Sequence, residues 1–218
     1  MKRLARMYLA VALTALPGAA RAETVTFAGV EIGTLPKDFE TGLTGQGLPG
    51  LWTVVPDDTA LDGRAIEQRT PDPTDYRFPL AIYTPMVARD LEASVRFKAV
   101  TGKVDQAGGL AIRLLDPDNY YVVRANALED NVRFYRVVSG KRQQLAGADT
   151  RVTPGEWHTL SLRAQGDRFT ISFDGRELFS ATDKAFGVEG RIALWTKADS
   201  VTRFDHLDFK ALGGRSKP

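Results

Sequence analysis

Arg113, Arg124 and Arg133 fall in segments that read as central β-strands. Each could present a planar fork of N–H donors. Such forks suit the hydroxyls of a sugar or the carboxylate of an acidic one. Asn126 follows Arg124 in a polar loop with Glu129, Asp130 and Asn131. These residue types bind ligands through hydrogen bonds, and they also form ordinary turns. Trp195 shares parity with Ala193 and Lys197 and opposes Ile192 and Leu194. If Ile192 and Leu194 face the core, Trp195 faces a groove or solvent. There it could stack on a sugar ring, with Lys197 touching a ligand oxygen. The expected ligand-binding set is therefore Arg113, Arg124, Asn126, Trp195 and Lys197.

The other aromatic residues divide by position. Trp52 follows a glycine-rich stretch, Gly42 to Gly50, and is a second rim candidate; Trp157 follows Pro154-Gly155 and is expected in the core. Tyr120 and Tyr121 must point to opposite sides of one strand. One enters the core and the other lines a groove or packs. Tyr135, on the parity of Arg133 and Val137, is expected at the surface.

Catalytic chemistry has thinner support. His158 and His206 are the only histidines, so a three-His metal site is impossible, and no His-Glu-x-x-His or Gly-x-Ser-x-Gly motif occurs. His206 beside Asp205 could make an acid–base pair, but adjacent strand residues usually point apart. A glycosidase needs two carboxylates at a set separation. The 27 acids guarantee some pair and so select none. Asp116, Asp118 and Asn119 offer hard oxygen ligands, so calcium is a possible cofactor, without EF-hand spacing; no other cofactor is expected. The absence of Cys excludes disulfides, thiol nucleophiles, Cys-ligated zinc and a lipobox anchor.

The elements that must hold these residues have a period of two. Leu91, Ala93, Val95 and Phe97 alternate with Glu92, Ser94, Arg96 and Lys98. Leu110, Ile112 and Leu114 alternate with Ala111, Arg113 and Leu115; Phe169, Ile171 and Phe173 alternate with Arg168, Thr170 and Ser172. This is the pattern of strands with one buried face. Asp174-Gly175 and Ser139-Gly140 mark tight hairpins. Phe204, Leu207 and Phe209 break strict parity, which predicts a bulge near Asp205-His206. The first third reads as irregular, with short strands at Trp52 to Val55 and Ala65 to Gln68. No long amphipathic helix is visible, which disfavours a parallel α/β architecture.

The chain has 218 residues, 29 Lys+Arg, 27 Asp+Glu and a formal charge of +2. Residues 1–22 read as an export signal, with a basic start, an apolar run from Tyr8 to Leu16, and Ala20-Arg21-Ala22 as the cleavage pattern. This piece carries Lys2, Arg3, Arg6 and Arg21 and no acid, so its removal turns +2 into −2. A nucleic-acid partner then loses its compositional support. No later segment is long and apolar enough to span a membrane. The expected organisation is a signal over 1–22, one β-sandwich domain over 23–212 and a frayed tail over 213–218, in an exported chain, periplasmic or extracellular.

The segments Gly108-Gly109-Leu110-Ala111-Ile112-Arg113, Asp118 to Asn126, Pro154 to His158, Phe173-Asp174-Gly175, Gly190 to Ser200 and Phe204 to Leu207 carry a resemblance. Together they resemble the concanavalin A-like lectin/glucanase sandwiches, and within them laminin-G-like and 3-keto-disaccharide hydrolase-type domains. The resemblance implies an all-β, two-sheet antiparallel jelly roll with a concave polar face used for glycans. The Glu-x-Asp-x-x-Glu strand pattern of the sandwich glucanases is absent here. Fold alone does not select an activity. Three functions follow as expectations: lectin-like recognition of a glycan or oligosaccharide on the concave face, glycoside or 3-keto-disaccharide hydrolysis, and a structural sandwich with a protein partner.

Overall fold

The computed structural model describes residues 22–213. The expected export signal, apart from Ala22, and the tail beyond residue 213 lie outside the described residues. Two antiparallel sheets face each other. The eight-stranded sheet runs β13 (Arg176–Thr182), β12 (Arg168–Phe173), β11 (Trp157–Gln165), β6 (Leu91–Thr101), β15 (Val201–Ala211), β4 (Arg64–Gln68), β3 (Trp52–Pro56), with β1 (Glu23–Val25) also paired to β15. The seven-stranded sheet runs β10 (Lys141–Asp149), β9 (Asn131–Val138), β8 (Asn119–Asn126), β7 (Ala107–Asp116), β14 (Gly190–Trp195), β5 (Arg77–Ala88), β2 (Phe39–Gly45). The all-β sandwich expected from the period-two pattern is what forms.

The hairpin signals act as read. At Ser139-Gly140 and Asp174-Gly175 both turn residues have positive φ (48° and 73°; 47° and 77°), which matches the strand twist. A register shift falls between Phe204 and His206, where the parity break predicts a bulge. Further shifts interrupt β10 between Gln144 and Ala146 and the β12–β13 pair after Ile171. The first third is more regular than its sequence suggests. β2 and the twelve-residue β5 both form there, and β2 takes in the start of the stretch read as a glycine loop. Residues Arg77 to Tyr83 of β5 are buried on both faces, so no apolar–polar alternation marks them.

The double burial of β5 reflects two cores. The main core lies between the sheets and includes Val95, Phe97, Leu160, Ile171 and Phe204 from one and Leu110, Ile112, Tyr121, Phe134 and Ile192 from the other. A second cluster sits on the outer face of the seven-stranded sheet, including Phe78, Leu80, Tyr120, Tyr135, Ala193 and Trp195. Leu114 belongs to this outer cluster rather than to the face of Leu110 and Ile112, because Arg113 (φ 48°) forms a bulge that shifts the parity.

Curling explains why an outer face is dry. Tyr76, just before β5, donates its hydroxyl to Gly140 O (2.9 Å) and accepts from Arg142 N (2.7 Å), both in the β9–β10 hairpin. In a flat sheet those strands would lie about 19 Å apart at the usual spacing, beyond a tyrosine's reach. Thr44 on edge strand β2 likewise donates to Pro117 O in the β7–β8 turn. The face is therefore concave, as expected, but its centre is filled by its own side chains.

Candidate functional site

At one end of this concave face Lys197, Asn126 and Arg124 meet; Asn126 and Arg124 are buried, and the exposed carboxylates of Asp75 and Glu129 flank them. Arg77 organises this end. Its guanidinium is fully buried and donates to the carbonyls of Leu48 (2.6 Å), Pro49 (3.3 Å), Thr70 (3.4 Å) and Ala198, which draws three loops together. Asp199 fixes a fourth loop by accepting from the backbone N–H of Lys103 (2.7 Å), Val104 (3.0 Å) and Asp105 (3.0 Å). Burial opposes the Asp199 charge, yet these three donors hold its carboxyl below the ordinary range. The result sets Asp105 beside Lys197.

Lys197 Nζ lies 2.8 Å from Asp75 Oδ1 and 2.9 Å from Asp105 Oδ2. Burial works against its ammonium, but the two carboxylates outweigh burial and raise its pKa. Burial also raises the Asp105 carboxyl, and Lys197 and Arg124 only partly offset it. Asn126 donates to Asp105 Oδ1 at 2.8 Å and accepts from Leu128 N and Glu129 N. Arg124 donates to Asn131 Oδ1, to Glu129 Oε2 at 2.7 Å and to the Tyr135 hydroxyl at 3.3 Å. Its Nε is buried without a partner.

Arg142 enters from the other side. Its guanidinium lies 4.4 Å from the Tyr135 ring centroid and 4.7 Å from that of Phe78. Its Nη1 is also buried without a partner. Two glycines make room in this row. A Cβ on Gly109 would press on Trp195 and Arg124 at 3.2 Å, and one on Gly147 would collide with the Arg133 side chain. Arg133 itself pairs with Asp149 at 2.6 Å.

Of the five expected site residues, Arg124, Asn126 and Lys197 come together and two do not serve. Trp195 has the expected parity, yet it is 0% exposed. Phe78 stacks on it at 5.2 Å, and its Nε1 donates to the Tyr120 hydroxyl at 3.2 Å. The curled sheet covers it, so its ring has no face left for a sugar. Arg113 is also fully buried and points the other way, into the sheet interface. It donates to Arg89 O (2.8 Å), Phe186 O (2.9 Å) and Gly166 O (2.6 Å), locking loops in place. Sequence reasoning did not select Asp75, Asp105 or Arg142. For Arg142 a signal existed. A two-residue turn at Ser139-Gly140 pairs 142 with Val137 and puts both on the Tyr135 face.

Other expectations also change. Trp52 is buried against Phe204 (5.9 Å) rather than placed at a rim. Trp157 leaves the core for the outer face of the other sheet, within 4.8 Å of the Arg96 and Lys98 cations. Tyr120 is fully buried and lines no open groove. His158 is structural, stacked on Phe173 and 2.8 Å from Asp174. The Asp205–His206 bulge brings those side chains within 3.4 Å instead of apart. The suggested calcium ligands close a turn: Asp116 accepts from Asp118 N and Asn119 Nδ2. Among the described residues no group of three or more His, Asp or Glu side chains is arranged to hold a metal ion, and no helix is long and apolar enough to cross a membrane.

Asp72 gives a direct check on the loop assembly. Its carboxylate accepts from Leu48 N (2.6 Å), Thr74 N and Thr74 Oγ1, and these bonds lower its pKa to about 2. A lowered pKa means that the folded state holds this proton less tightly. The stabilisation is present above the unfolded value of about 3.9 and lost as pH falls through about 2. Carboxyl NMR should find Asp72 titrating near the lower value. A midpoint near 4 would mean that the loop is not fastened this way.

No protein-family profile matches the chain. A 104-residue stretch, 47% of the chain, is 31% identical to levanase of Bacillus subtilis strain 168 and spans 15% of that protein's length. Among solved structures, carbohydrate-binding module CBM66 from Bacillus subtilis superposes with a TM-score of 0.61 at 23% identity, covering 78% of this chain and 95% of the module. Domain 4 of AbnA, a GH43 extracellular arabinanase from Geobacillus stearothermophilus solved with arabinotriose, gives 0.58 at 13% identity, covering 88% and 93%. The chain thus shares the fold of these two domains.

Proposed function

We propose that this chain is an exported carbohydrate-recognition domain, with its site at the Arg124, Asn126, Tyr135, Arg142 and Lys197 end of the concave face. One observation carries the reading. Arg124 is 4% exposed, fastened at both terminal nitrogens, and still has a buried Nε–H with no acceptor. An unsatisfied buried donor is costly, and a ligand answers this one once the side chains covering it move aside. Around it stand an aromatic ring and rigidly held amide, ammonium and carboxylate groups, the mixture that orients a polyhydroxylated ligand. The levanase stretch and the module-like fold support the same reading.

The first glycans to try are levan, inulin and arabinan, followed by a wider array. Arg124→Ala should weaken binding about tenfold or more, a cost of roughly 1.4 kcal/mol. Arg124→Lys should rescue little, because a point charge lacks the planar fork. A folded Arg124→Ala chain that binds as well as the parent would sink this site. Export has its own test: mass spectrometry of the exported protein should find Glu23 as the first residue. β1 begins at that residue, and an N-terminus elsewhere would overturn the cleavage assignment.

The hydrolase alternative rests on Asp75 and Asp105. Both oxygens lie within 2.9 Å of Lys197 Nζ, so they are less than about 6 Å apart, near the separation of retaining glycosidases. The bridging ammonium, however, occupies the space that a sugar's anomeric carbon would need. Turnover of any glycan in the panel, abolished by Asp105→Asn, would reverse this ranking.

A further inference from the structure

Arg142 differs from the other cations at the site. Lys197 is held by two carboxylates, Arg124 by Glu129 and Arg133 by Asp149. Among the described residues no carboxylate lies within ion-pair distance of Arg142, and no hydrogen bond from its side chain is formed. Asp75 is near enough to feel its field, but its carboxylate is committed to Lys197. The guanidinium is nevertheless well placed. Arg142 sits in a cluster of three rings: Trp195 and Phe78 stack at 5.2 Å, and the cation lies 4.7, 4.4 and 6.0 Å from the Phe78, Tyr135 and Trp195 centroids. Such ring contacts use up none of the guanidinium's N–H donors. They also remove rotamer freedom before any ligand arrives. Of these donors Nη1 is buried and unanswered, whereas Nε and Nη2 are accessible and equally without a partner.

We infer that Arg142 receives an anionic substituent of the glycan, a uronic carboxylate or a sulfate ester, making the site selective for acidic over neutral sugars. This rests on the carbohydrate reading above. The anion supplies both things Arg142 lacks, a counter-charge and an acceptor for its accessible donors, Nε and Nη2. A charge-assisted bond of this kind is roughly twice as strong as a neutral one.

Paired ligands test the inference on the full chain. Oligogalacturonate is compared with its methyl ester, which keeps the sugar and removes the charge, and dextran sulfate with dextran. At least one acidic member should bind about tenfold or more tightly than its neutral partner, and the member that does identifies the source of the anion. Arg142→Gln should erase that preference. Arg142→Lys should keep part of it, because the charge survives without the fork. In NMR, the Arg142 guanidinium signals should move with the acidic ligand and stay still with the ester or dextran. Equal binding within both pairs, or a preference that survives Arg142→Gln in a folded chain, overturns the inference. If neutral glycans bind through Arg124 without an acidic preference, the inference alone falls. If no glycan of either kind binds, the carbohydrate reading falls with it.

Discussion

Lys197→Met should cost the fold about 3 kcal/mol at neutral pH, measured by urea denaturation. Asp105 has a side chain 1% exposed, and Lys197 is the one cation within ion-pair distance of it among the described residues. Removing one partner of a buried pair costs about 3–5 kcal/mol, because the other charge stays buried and uncompensated; the 15% exposure of Lys197 argues for the lower end. The pH dependence is part of the test. Burial already raises the Asp105 carboxyl, and losing the ammonium raises it further. A raised acid holds its proton more tightly when folded. The penalty is therefore small below the unfolded value of about 3.9 and grows as pH rises through the folded value. The variant should recover against the parent in acid, and Asp105→Asn in the same chain should restore much of the loss at pH 7. A single variant as stable as the parent at pH 7 would mean that Asp105 is not a buried charge.

Trp195→Ala should lower stability by about 3–5 kcal/mol, the range for truncating a buried aromatic in a tight core. The ring supports Phe78, and its Nε1 meets the Tyr120 hydroxyl. That hydroxyl stands in a directional series. Thr44 uses its proton on Pro117 O, so Tyr120 donates to Thr44 (2.8 Å) and accepts from Trp195. Trp195→Phe should keep most of the packing and lose the indole bond. A stacking platform would behave differently, with binding lost and the denaturation midpoint unchanged. That outcome would return Trp195 to the ligand site.

The contrast at Trp195 shows what the sequence could carry. Strand parity is local, so the opposition of Trp195 to Ile192 and Leu194, the turn at Ser139-Gly140 and the bulge at His206 were all legible. Whether an outward face stays open is set by contacts between distant strands. Tyr76 reaching Gly140 and Thr44 reaching Pro117 leave no pattern in either segment. The same limit hid Asp105, a lone acid in a loop whose meaning comes from Asp199 fastening that loop beside Lys197. Arg113 misled for a related reason: its bulge turned a strand arginine inward, where loop carbonyls satisfy it.

Two of the four edge strands, β10 and β13, affect how copies of the chain meet. β10 opens with Lys141-Arg142-Gln143-Gln144, and β13 with Arg176-Glu177. Each lies beside a break in register, at Gln144/Ala146 and after Ile171. A strand arriving from another molecule would have to strip water from those charges. It would also have to follow an edge whose hydrogen-bonding groups fall out of step. Unpaired edges invite sheet extension and aggregation, and charge combined with bulges blocks both. With no cysteine available for a disulfide, the sandwich depends on such borders to resist self-association.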